Sequence, residues 1–173
     1  MIPVLSLLTL VQLSPSPAPT EIQPGLFVLP GSPDAHTLAL AKALGITHVI
    51  NLRTAEEGDF GWEATAVQDL GGTYLSCPLS SNAISDGLDR FRTLMSSLPS
   101  TAKVLVHCAS GNRAGGALFA FWTLNKVMPV EEALVLAKRA GLRTPSTESA
   151  VKTYVTDARA AQAFRRFSLA DSD

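Results

Sequence analysis

The stretch Val104-Leu-Val-His-Cys-Ala-Ser-Gly-Asn-Arg-Ala-Gly-Gly-Ala-Leu-Phe-Ala-Phe-Trp122 decides how the rest of the chain is read. It opens with β-branched and apolar residues, as a buried strand does, and closes with an apolar run of helical length. Between the two lie a histidine, a cysteine, a glycine and an arginine. A loop that runs from a strand into a helix N-terminus gathers backbone N–H groups at one spot, and the helix dipole adds partial positive charge there. Such a spot binds anions. It also stabilises a thiolate, since cysteine pKa values fall to about 3.5–7.5 at helix N-termini or beside arginine. Cys108 is therefore the candidate nucleophile, and the fork of Arg113 suits two oxygens of a tetrahedral anion. Ala109, Ser110, Gly111 and Asn112 supply the rest of the cradle, with Gly111 free to adopt the positive φ such a loop needs. Cys108 could instead be an inert strand-end thiol, the usual state of a lone buried cysteine. The conjunction of apolar strand, His-Cys, glycine, arginine and helix argues against that reading.

Outward from this loop, short β-branched runs alternate with helical patterns, which predicts an α/β domain with a central, mainly parallel sheet. Strands are expected at 26–29, 47–53, 73–79 and 103–108. Helices are expected at 61–70, 86–98, 113–125, 130–140 and 146–167, together with one opening at Ser32 as N-cap and Pro33 as first residue and stopped by Gly45. The length of 173 residues suits one domain, assigned to 25–168 with a short tail over 169–173. Hydrophobic residues make up 46% and charged residues 17%, so the chain can bury a core and is not of disordered composition. Lys and Arg number 14 against 15 Asp and Glu, a net charge of −1 that argues against nonspecific nucleic-acid binding. Cys77 and Cys108 are the only cysteines and lack CxxC spacing, which excludes a disulfide scaffold and leaves no zinc motif.

Residues 1–24 stand apart. The uncharged stretch IPVLSLLTLVQL over 2–13 precedes a Pro- and Ser-rich segment, and its length suits a secretory h-region rather than a stable membrane span. Export to the periplasm or beyond is the expectation, with a cytoplasmic protein as the alternative.

His107-Cys-Ala-Ser-Gly-Asn-Arg113, with Val49-Ile-Asn-Leu-Arg53 and Tyr74-Leu-Ser-Cys-Pro-Leu79, resembles the cysteine-dependent phosphatases, specifically their bacterial beta-lactamase-hydrolase-like, phosphatase-like branch. The resemblance runs from about residue 26 to the last helix. It implies a protein tyrosine phosphatase-like fold of the dual-specificity type, a phosphocysteine on Cys108, phosphate held by Arg113 and the loop amides, a phosphorylated protein or small molecule as substrate, and no cofactor or metal. The chain departs from the usual pattern in three ways. Four residues separate Cys108 from Arg113 where five are typical, a spacing shared with rhodanese-like sulfurtransferases that take a sulfane-sulfur donor. Ala114 stands where Ser or Thr commonly eases loss of the thiolate, a task Ser110 could assume. The general acid is not obvious: Asp86 is the candidate, although Ser85-Asp86 also fits a helix N-terminus. A non-catalytic anion-binding pseudophosphatase is the third reading.

Several other residues have plainer roles. His107 is expected to support the loop while pointing away from the Cys108 side chain. Arg53 ends a strand on the ligand-binding side of the sheet and could touch substrate, or pair with Glu56, Glu57 or Asp59. Phe119, Phe121 and Trp122 are core candidates, Arg165-Arg166 a helix-end pair, and His36 and His48 have no partner pattern. Cys77, expected mid-strand, is either inert or a resolving partner for Cys108.

Overall fold

The computed structural model describes residues 17–170, so the apolar stretch read as an export signal lies outside the described residues. Five strands form one mixed sheet in the order β1-β2-β5-β3-β4. They are β1 (Thr20–Gln23), β2 (Leu26–Leu29), β3 (His48–Asn51), β4 (Thr73–Ser76) and β5 (Val104–His107). β1 runs antiparallel to β2, and the other pairs are parallel. The helices are α1 (Ala35–Ala43), α2 (Gly61–Asp69), α3 (Ser85–Ser97), α4 (Asn112–Leu124), α5 (Val130–Arg139) and α6 (Pro145–Ala170). None of the described helices is long and apolar enough to cross a membrane.

Successive side chains of a strand face opposite sides of the sheet, and here that alternation sorts the core into two halves. Phe27, Leu29, Val49 and Leu105 pack with Leu38 and Ala41 of α1 and Val67 of α2. Leu26, Val28, Ile50, Val104 and Val106 pack with Leu88 and Phe91 of α3, Leu118 and Phe119 of α4, Ala133 of α5 and Val151 of α6. All four residues of central β5 are buried. The same alternation sends His107 toward α2 and Cys108 toward the α3–α6 side. α4 is buried continuously from Arg113 to Thr123. Its close neighbours require the small residue at Gly115, where a Cβ would lie 2.4 Å from the Leu142 nitrogen.

Three expectations are corrected. α1 begins at Ala35, because the side chain of Asp34 rather than Ser32 reaches a free first-turn amide, accepting from Thr37 N at 2.7 Å. β4 ends at Ser76 rather than 79, since Pro78 has no N–H for the ladder; Cys77 N and Leu79 N still donate to Asn51 O and Leu52 O. Cys77 therefore sits just past the strand and not within it. A strand also occurs at Thr20–Gln23, inside the stretch read as leader, where it covers the edge of β2.

Candidate active site

β5 delivers His107 and Cys108 to the carboxyl end of the sheet, where α/β folds place their ligands. The chain then turns through Ala109, Ser110 and Gly111 into α4. Gly111 caps the helix with φ +85°, a left-handed conformation that glycine adopts without penalty. Its N–H donates to Cys108 Sγ at 3.1 Å. The amides of Asn112 and Arg113 open α4 and have no acceptor within it, so they add to the positive end of the dipole at the same place. Cys108 is fully buried, and both cysteines are free thiols.

Arg113 is buried and held from three sides. Its Nη1 donates to Leu79 O at 2.9 Å and Leu52 O at 3.3 Å, and Nη1 and Nη2 each meet a carboxylate oxygen of Glu57 at 2.6 Å. Hydrogen bonding to Glu57 raises the Arg113 pKa, opposed by burial. The same bond, opposed by partial burial, lowers the Glu57 carboxyl to about 2. Glu57 ends a 3-10 turn at Ala55–Glu57 and accepts from Thr54 N at 2.8 Å, a capping box that fixes the carboxylate on the arginine.

The loop is also clamped from the α5–α6 turn. Arg143 Nη2 donates to Ser110 O at 2.6 Å, and Asn112 Oδ1 accepts from the amides of Arg143 and Thr144 at 3.0 and 3.1 Å. Asn112 Nδ2 donates to Thr147 Oγ1 at 2.7 Å. Gly141, at φ +108°, is so close that a Cβ there would lie 2.9 Å from the carbonyl of Gly111.

Behind the loop, on the α2 side, lies a buried polar chain. Asn51 Oδ1 accepts from Arg53 N and Nε, the guanidinium stacks 3.7 Å from the Phe60 ring centroid, and Arg53 Nη2 bonds Glu63 Oε2. Glu63 Oε1 bonds His107 Nε2 at 2.7 Å. Arg53 thus pairs with Glu63, not with Glu56, Glu57 or Asp59. It also lines an open cleft of about 330 Å³ with Asp59, Phe60 and Tyr74.

Cys108, Arg113 and the residues from Ala109 to Asn112 thus form one ring, with His107 directly behind it. Asp86 is exposed on the first turn of α3, and its side chain makes no hydrogen bond or ion pair among the described residues. Asp89, next along α3, accepts from Tyr154 and Arg92. Burial pushes the Cys77 thiol up, partly offset by Arg90. Sequence reading missed Glu57, Glu63, Gly141 and Arg143 as parts of the site. Thr54-Ala-Glu-Glu57 carried a capping-box signal, and Glu63 shares the buried stripe of α2 with Val67, an unusual place for a carboxylate.

This sheet order, with a cysteine loop feeding a buried helix, defines an α/β fold of the protein tyrosine phosphatase-like, dual-specificity type. The chain is similar to a DUF442 protein of Shewanella putrefaciens CN-32, at 21% identity over 84% of this chain and 91% of that one, with a TM-score of 0.66. It is similar to the human tyrosine phosphatase-like serine/threonine/tyrosine-interacting protein at 24% identity, covering 84% and 98% of the two chains (TM-score 0.64). The core catalytic domain of the PP-IP phosphatase SIW14 from S. cerevisiae matches at 14% identity over 86% and 91% (TM-score 0.64). No family model and no curated protein matches the sequence. Likeness at these identities establishes the fold.

Proposed function

We propose that this protein is a cysteine-dependent phosphatase of the beta-lactamase-hydrolase-like branch, acting on a phosphate monoester through a phosphocysteine. The observation that carries the reading is the ring itself: a buried thiol accepting a loop N–H at a helix N-terminus, with a buried arginine on the first turn of that helix. The Cys108 thiolate attacks phosphorus in line, forming the S–P bond as the P–O bond to the leaving group breaks. Arg113 and the loop amides carry the charge on the equatorial oxygens. The leaving oxygen takes a proton from Asp86 or from water. Water then cleaves the S–P bond, returning thiolate and inorganic phosphate, and in the absence of a hydroxyl at Ala114 we assign to Ser110 the easing of sulfur departure.

Assay of wild type and Cys108→Ser on p-nitrophenyl phosphate, and on thiosulfate with cyanide, tests this. Phosphate release that disappears in the variant is expected. Thiocyanate formation without phosphate release would replace the reading with a sulfurtransferase, and neither product would leave an anion-binding module.

A further inference from the structure

The geometry points to Glu63 as a positioning residue for Cys108 chemistry, acting through His107: its carboxylate holds the imidazole with a proton on Nε2, immediately before the residue that carries the thiol. Glu63 and His107 are both completely buried, and Oε1 to Nε2 is 2.7 Å. An ionised carboxylate only accepts hydrogen bonds, so the bonded ring nitrogen must be the donor. The other oxygen of Glu63 pairs with Arg53, itself fixed by Asn51 and by the Phe60 ring, so this buried carboxylate has a partner on each oxygen.

The other ring nitrogen, Nδ1, is buried and has no hydrogen-bond partner among the described residues, so the bond to Glu63 is the one that fixes the orientation of the ring. Beside His107 in the sheet lie Leu29 of β2 and Asn51 of β3, neither charged. α2 contributes Glu63, the segment after β3 contributes Arg53, and β4 contributes Tyr74, which accepts from Asn51 Nδ2. On the opposite face lie Cys108, Arg113 and Glu57, and Cys77 packs in the same cluster as Cys108. Glu63 is thus the carboxylate bonded to the ring, and it lies 44 positions away in sequence.

This inference deepens the phosphatase reading and rests on it for the role of Cys108, but its test requires no turnover. Long-range proton–nitrogen NMR of the wild-type protein should show His107 protonated at Nε2. An unprotonated Nε2 would overturn the assignment without any variant. Glu63→Gln keeps the shape but replaces an obligate acceptor with a group that can donate. We expect it to slow iodoacetamide alkylation of Cys108, mapped by peptide mass spectrometry, by roughly tenfold to a hundredfold and to move the pH profile of that rate. In a His107→Asn background the same substitution should have little further effect, because its influence passes through the ring. A folded Glu63→Gln protein with unchanged alkylation rate and profile would sink the proposal. Slowed alkylation in a protein whose wild type hydrolyses no phosphate ester would instead support the positioning role and remove the phosphatase reading.

Discussion

The two faces of the sheet are built on different principles. Under α3 to α6 the core is made of aliphatic and aromatic side chains packed around α4, with Thr123 and Thr147 among its buried polar residues. Under α1 and α2 a smaller apolar patch gives way, at the carboxyl end of the strands, to Asn51, Arg53, Glu63 and His107. The first face supports the anion loop through volume around α4, with hydrogen bonds from Arg113, Asn112 and Arg143 only at the carboxyl end of the sheet. The second holds it through matched partners, so it tolerates shape changes better than unpaired charges.

Substitutions can break or sharpen that contrast. Phe119→Ala, at a fully buried α4 position, should cost about 3–5 kcal/mol by urea unfolding through the cavity it leaves. On the polar face Arg53→Met should cost a similar roughly 3–5 kcal/mol, because Glu63 loses its charge partner. The two losses differ in what repairs them: adding Glu63→Met to Arg53→Met should recover part of the stability. A double variant less stable than Arg53→Met would show that the polar face also depends on volume.

A smaller effect is expected at the junction of loop and α5–α6 turn. Gly141→Ala forces a Cβ toward the Gly111 carbonyl and places alanine at φ +108°, so stability should fall by roughly 1–3 kcal/mol and anion binding should weaken. Unchanged phosphate affinity by calorimetry would show that the turn does not shape the loop.

The smallest effect concerns Glu57. Its pKa is near 2 in the folded protein against an ordinary 4.5, so the Arg113 pair stabilises the fold fully above about 4.5, and the contribution fades as pH falls through 2. Comparison of wild type with Glu57→Gln by denaturant unfolding should therefore show a stability difference that shrinks across that interval. A difference independent of pH would contradict the pairing.

Much of this architecture was legible in the sequence because it is local. The apolar run of β5, the glycine turn and the long apolar helix announce the loop and its place at the end of a strand. The antiparallel strand at Thr20–Gln23 was not legible, because its alternation is weak and, among the described residues, it pairs with β2 alone. The N-cap moved from Ser32 to Asp34 because both are good capping residues and only the structure shows that the Asp34 oxygen is the one that reaches the Thr37 amide. The supports of the loop were hidden for another reason. Glu57 meets Arg113 across 56 positions and Glu63 meets His107 across 44, and no local pattern encodes such pairings. What was visible was each half: a capping box ending in Glu57, and a carboxylate on the buried stripe of α2.

The comparison of faces matters for function only if the loop between them carries the reacting atom. The most direct measurement is phosphate release from p-nitrophenyl phosphate by wild type and by Cys108→Ser, each shown to be folded. The account predicts turnover by wild type and a loss of at least about a thousandfold in the variant. Equal rates in the two proteins would contradict it.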